Sequence, residues 1–141
     1  MSGSGRYEVE AEHAPKALGP YSQAVALGGS RLLFVSGQIG IDPETGELVE
    51  GGVKAQTEQS VRNIGAIVRA AGTNGASIVK TTIYLANIDD FAAVNEAYRE
   101  TIGAPYPARS CVGGCSLPKG ALVEIEAIAL LEDSSLEAER T

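Results

Sequence analysis

The 141-residue sequence predicts one α+β domain, a mixed β-sheet with two helices packed on one of its faces. Three observations carry that prediction. Extended and helical patterns run in the order strand, strand, helix, strand, helix, strand, strand, so a helix does not follow every strand as it would in a wound parallel sheet. The length supports one sizeable core and not two. Several strand segments, such as Leu32-Leu33-Phe34-Val35, are apolar on both parities, which leaves the face opposite the helices in need of cover. Oligomerisation is the reading adopted for that face, against a simple two-sided core.

Each element has its own signal. After a short N-terminal segment, Arg6 to Glu10, the stretch from Ser22 to Gly37 holds two apolar runs around Gly28-Gly29-Ser30, the mark of a hairpin. Turn chemistry in Asp42-Pro43-Glu44-Thr45-Gly46-Glu47 precedes a helix on which Val53, Val61, Ile64, Ile67, Val68 and Ala71 recur at helical spacing until Gly72. Val79, Thr81, Ile83 and Leu85 alternate within a strand from Ile78 to Ala86. Asn87, Asp89 and Asp90 then offer caps for a second helix carrying Phe91, Val94, Tyr98 and Ile102, which Pro105 and Pro107 forbid from continuing. Two last strands, Ala108 to Cys115 and Ala121 to Leu131, flank the turn Leu117-Pro118-Lys119-Gly120.

Composition narrows the function classes. With 18 acidic against 11 Lys and Arg residues the net charge is -7, which repels phosphate backbones and argues against a nucleic-acid partner. Part of that charge lies in residues 132–141, read as a solvated acidic tail beyond a domain spanning residues 1–131. No apolar run reaches the ~18 residues of a membrane span, and the start, Met1-Ser2-Gly3-Ser4-Gly5-Arg6, has no apolar core before a cleavage site, so a cytoplasmic location is expected. Cys111 and Cys115 fit neither a redox pair nor half a zinc site, and His13 is the one histidine, so free thiols and no metal are expected. In a strand the two cysteines would stand ~13 Å apart, beyond disulfide reach.

Four segments carry the candidate chemistry. In Pro107-Ala108-Arg109-Ser110-Cys111-Val112 the alternation of a strand puts Arg109 and Cys111 on one face, ~7 Å apart. A guanidinium fork suits a small carboxylate, while the competing reading pairs Arg109 structurally with an acidic residue and packs Cys111 in the core. In Val123-Glu124-Ile125-Glu126-Ala127 two carboxylates share one face of an apolar strand, a costly arrangement unless paired or solvated. If the last two strands pair through the 117–120 turn, one register sets Glu124 across from Cys111, where it could activate a water. For Glu126 a basic partner or a subunit contact is the stronger expectation. The loop Ala14 to Ala24 holds Tyr21 between rigidifying Pro and Gly residues, and Ser36-Gly37-Gln38-Ile39-Gly40 ends a strand where backbone amides can approach a ligand.

Together, Gly19-Pro20-Tyr21-Ser22-Gln23-Ala24, Val35-Ser36-Gly37-Gln38-Ile39, Pro107 to Val112 and Leu117 to Ala129 resemble the signature segments of the RidA/YjgF/UK114 family, with the match running from about Ala14 to Leu131. The resemblance implies a chorismate-mutase-like α+β fold, a homotrimer with clefts at its subunit interfaces, and hydrolysis of 2-iminopropanoate or 2-iminobutanoate to the 2-oxo acid and ammonia, with no metal or cofactor. It implies that Arg109 holds the substrate carboxylate, that Glu124 positions the attacking water and that Cys111 lines the pocket beside it. Tyr21, Ser36 and Gly37 would shape the cleft and bind substrate.

Two departures from the family pattern bear on the site. Gly40 stands where proline is usual and is expected to loosen the pocket wall, while Gly113 and Gly114 are expected to weaken the strand that contains them. Cys115 is an added thiol, read as packing. A non-catalytic small-acid-binding or chaperone-like trimer is the alternative function, with ribonuclease or translation-inhibitor activity further behind because a basic-aromatic surface is lacking. Retention of Glu124 favours the enzyme, since a binding module has no need of a base beside its carboxylate clamp.

Overall fold

The computed structural model describes residues 5–131, so the acidic tail read at 132–141 lies outside the described residues. Six strands form one sheet: β1 (Arg6–Val9), β2 (Ala24–Leu27), β3 (Leu32–Ile39), β4 (Ile78–Leu85), β5 (Ala108–Val112) and β6 (Val123–Leu130). Their order across the sheet is β1-β2-β3-β6-β4-β5, antiparallel throughout except for the parallel pair β4 and β5. Helix α1 (Gly52–Ala70) packs on β3 and β6, and α2 (Phe91–Ile102) packs beside α1. The predicted α+β class and the two helices are thus present. None of the helices among the described residues is long and apolar enough to cross a membrane.

Strand β6 runs through the middle of the sheet because its inward positions demand it. Val123, Ile125, Ala127 and Ala129 are all buried, and they meet Leu33 and Val35 of β3, Ile83 and Leu85 of β4, and Ile64, Ile67 and Val68 of α1 in one core. Strand β5 brings only two half-buried side chains to that face and takes the edge. The expected pairing of the last two strands is therefore corrected: β4 separates β5 from β6, and α2 supplies the crossover that parallel neighbours require. The short segment at Arg6 also proves to be a strand, pairing with β2 through Tyr7 and Val9 on its inward side. Four residues are too few for alternation to separate a strand from a loop.

Helix α1 carries a buried polar row beside its apolar one, and that row fixes the loops that lead to the candidate site. The Asn63 amide donates to the carbonyls of Ile39 and Ile41 at 3.3 and 2.9 Å, and the Gln56 side-chain oxygen accepts from the Leu122 N–H at 2.9 Å. Both contacts bear on the segments entering and leaving the Glu124 region. Gly40 is what lets α1 come so close, since a Cβ there would meet the Gln56 backbone at 2.7 Å. The loosening expected from Gly40 is replaced by a tight approach of helix to loop.

Gly113 and Gly114 lie just past β5, not within it. Gly114 turns the chain at φ +71, and a Cβ at Gly113 would overlap Ile88 of the facing loop. The Cys115 N–H then donates to the Leu85 carbonyl at 2.9 Å. These glycines build a turn against β4, and the strand-weakening cost expected of them does not arise.

Candidate active site

The side chains singled out in the sequence form two groups, one on each face of the sheet. Cross-strand partners share a face. Arg109 lies opposite Thr81, and Cys111 opposite Ile83, both of which are buried beneath the helices. Glu124 lies opposite Tyr84 and Ile39, and Glu126 opposite Thr82, on the face that neither α1 nor α2 covers. The expected juxtaposition of Glu124 with Cys111 is therefore not made within one chain: the two point away from each other.

On the open face, β3 is bulged. Val35 pairs with Ala127 and Gln38 with Ile125, so Ser36 and Gly37 together oppose Glu126. The bulge brings the Gly37 backbone against the Glu124 side chain so closely that a Cβ at residue 37 would overlap the carboxylate. Tyr21, Ser36, Gly37, Glu124 and Glu126 line a single cleft of about 600 Å³, which Pro20 and Pro118 help to wall. Four of the predicted residues are thus brought together.

Local hydrogen bonds explain how they are held. The Ser36 hydroxyl donates to the Ser22 carbonyl at 2.6 Å, and the Leu18 N–H donates to the Tyr21 hydroxyl at 3.0 Å. Buried Gln23 accepts from the Ala11 N–H at 2.7 Å and donates to the Pro15 carbonyl at 2.6 Å, fixing the loop from which Tyr21 projects. Nothing in the sequence marked Gln23 for that task. Burial raises the Glu124 carboxyl above its ordinary pKa, and the charge of Glu126 raises it further. Glu126 forms no ion pair among the described residues; burial, and then the nearby charge of Glu126, push the Tyr84 phenol above its ordinary pKa. The basic partner expected for Glu126 is absent from this chain's described residues.

On the helix-covered face, the Arg109 guanidinium lies over the rings of Tyr98 and Phe91, 5.2 and 5.5 Å from their centroids. It has no acidic partner within 4 Å among the described residues, so the structural ion pair weighed for it is not formed. A cleft of about 280 Å³ opens at its side, lined by Asn95, Tyr98, Arg99, Tyr106 and Pro107. The Tyr98 hydroxyl meets that of Thr81 at 2.8 Å, which anchors α2 over β4 and sets the ring beneath the guanidinium. Cys111 shares the face but packs against the core, and burial raises its pKa despite the neighbouring Arg109. A protonated thiol at that place is a poor nucleophile. Reading the sequence alone missed Asn95 and Arg99; their spacing of four on α2, flanking Tyr98, was the available signal.

Among the described residues no group of His, Cys, Asp and Glu is arranged to hold a metal ion, and His13 is exposed. Comparison with known proteins settles the lineage. The family model described as Endoribonuclease L-PSP matches residues 11–131. The chain belongs to this family, the RidA family. A human 2-iminobutanoate/2-iminopropanoate deaminase is 45% identical over 130 residues, covering 92% of this chain and 93% of the relative. The crystal structure of RidA from an Antarctic Psychrobacter is 46% identical with a TM-score of 0.83, covering 89% of this chain and 99% of that one. That of E. coli TdcF with bound serine is 42% identical with a TM-score of 0.80 over the same shares. The RidA fold expected from the signature segments is therefore the fold observed.

Proposed function

We propose that this RidA-family chain is a deaminase that hydrolyses 2-iminopropanoate and 2-iminobutanoate to the 2-oxo acids and ammonia. The observation that carries the reading is Arg109, a permanent cation braced by two aromatic rings at a cleft and left without a carboxylate partner among the described residues. The curated relatives named for this activity, at about 45% identity over nine-tenths of the chain, support it independently.

In the proposed reaction Arg109 grips the substrate carboxylate through two parallel N–H···O bonds. The Glu124 carboxylate takes a proton from a water as that water attacks C2 of the protonated imine, giving a tetrahedral carbinolamine. The same carboxyl, its proton affinity raised by its setting, returns the proton to nitrogen; the C–N bond then breaks as the carbinolamine hydroxyl gives its proton to the regenerated carboxylate, releasing ammonia and the 2-oxo acid. Tyr21, Ser36 and Gly37 shape the cleft in which this occurs, and Cys111 supports the Arg109 side by packing. Imine hydrolysis of this kind calls for no metal or cofactor.

Because Arg109 and Glu124 lie on opposite faces of one sheet, the reading requires a second copy to bring one chain's Arg109 to another's Glu124. A homotrimer with clefts between subunits meets that requirement. Its support is the open face itself, where Phe34 is exposed opposite Ile128 and Leu130 is exposed opposite Leu32, an apolar patch that a solvated sheet would not carry. The test is release of 2-oxo acid from the two imines generated in situ, with semicarbazide as competing trap. Acceleration by the wild-type chain that Arg109→Ala abolishes is the expected result; no acceleration by the assembled protein overturns the reading in favour of a non-catalytic acid-binding oligomer.

A further inference from the structure

Two guanidinium groups, not one, line the Arg109 cleft. Arg99 follows Tyr98 on α2 and stands four residues from Asn95, so both face the same side of the helix, and both border the cleft with Arg109. Neither arginine is ion-paired among the described residues. The nearest acids along α2 do not serve: Glu96 is engaged with Lys54 at 3.0 Å, and Glu100 is exposed to solvent. In a chain with seven more acidic than basic residues, two cations bordering one cleft with no carboxylate partner among the described residues is an arrangement that mutual repulsion opposes.

Asn95 also borders the cleft, but its side-chain oxygen is buried and closed to a ligand, so the cleft's charge alone sets what it suits. Two permanent cations define the complementary molecule as one that carries two anionic groups.

We infer that the Arg109 cleft is built for a 2-imino dicarboxylic acid, with Arg109 on the carboxylate beside the imine and Arg99 on the distal carboxylate. This rests on the proposed deaminase reading and names its substrate class. Arg99 is a specificity residue here: it touches the end of the substrate that does not react, so it acts on KM more than on kcat.

The experiment compares four-carbon and five-carbon imino dicarboxylates, made in situ by an oxidase from aspartate and glutamate, with 2-iminopropanoate. The expected result is a kcat/KM ratio favouring the dicarboxylates by about tenfold, as for one charge-assisted contact at a partly exposed site. In Arg99→Gln that ratio falls to about one, mostly through KM, and Arg99→Lys restores part of it. A wild-type ratio near one, or a ratio unmoved by Arg99→Gln, overturns the inference while leaving imine hydrolysis intact. Calorimetric titration with 2-oxoglutarate against pyruvate separates the two readings. If no imine is hydrolysed but 2-oxoglutarate binds more tightly through Arg99, the dicarboxylate cleft stands without the enzyme. Equal binding of the two acids, or a preference that Arg99→Gln leaves intact, removes the cleft as well.

Discussion

In the proposed reaction Arg109 and Glu124 supply two opposite charges, and the fold secures them by different means. A guanidinium is a permanent cation, and two aromatic faces hold the planar group of Arg109 in place, so its setting bears on geometry. Glu124 titrates, and its setting controls proton affinity: half burial and the neighbouring Glu126 push it upward, while the bulge at Gly37 fixes its position. The contrast separates a binding cleft, tolerant of pH and intolerant of shape change, from a proton-handling cleft sensitive to both.

Substitutions can break each half of that contrast. The largest expected effect is at Arg109, where Arg109→Ala removes the carboxylate grip and lowers kcat/KM by about a hundredfold to a thousandfold. Arg109→Lys, which keeps the charge and loses the fork, recovers only part, and the loss should be alike across the pH range. Next is Gly37→Ala. The new methyl group displaces the Glu124 carboxylate, a misplacement of about 1 Å that costs about a hundredfold in kcat at unchanged Arg109. Steady-state kinetics with 2-iminopropanoate reads both; a Gly37→Ala enzyme of wild-type activity would remove Glu124 from the reaction.

How much of this was legible in the sequence follows the same divide. Residues on regular elements were read correctly as to face: Arg109 with Cys111, and Glu124 with Glu126, because side-chain alternation is a local property of a strand. What failed was their relation to one another, since strand order is set by which strand has the most apolar surface to bury, a property of the whole core. Four buried positions put β6 at the centre, and β4 fell between it and β5. The bulge at Ser36 and Gly37 was likewise out of reach, because it exists only relative to β6. The signature segments, by contrast, identified the family without any of that geometry.

The smaller effects sharpen the comparison. Glu126→Gln removes one of the two causes that raise the Glu124 pKa. A base whose pKa is raised loses activity as pH falls through that raised value, so lowering it moves the acid limb of the kcat/KM profile to lower pH. The corresponding profile of Arg109→Lys should not move, because the titratable group that sets its geometry, the Tyr98 phenol, is raised above its ordinary pKa by burial and keeps its proton across the acid limb. Tyr84 from β4 also faces Glu126, and Tyr84→Phe should leave the position of the limb closer to wild type than Glu126→Gln does, since it removes a neutral hydroxyl and no charge.

Tyr98→Phe is the mildest probe and the most discriminating for the Arg109 side. It keeps the ring beneath the guanidinium and deletes the hydroxyl that meets Thr81 at 2.8 Å in a buried site. Leaving the Thr81 hydroxyl without that partner costs about 1–2 kcal/mol of stability. For a domain of this size that is a fall of about 3–8 °C in Tm. If the rings brace Arg109 by stacking, kcat/KM at a temperature below the transition stays within about twofold of wild type, whereas Tyr98→Leu, which removes the π face and also lowers Tm further by leaving a cavity, lowers kcat/KM further even when assayed below its own transition. Equal activity in the two variants would mean that α2 holds Arg109 by bulk alone, and the cleft's tolerance of pH would then owe nothing to its aromatic floor.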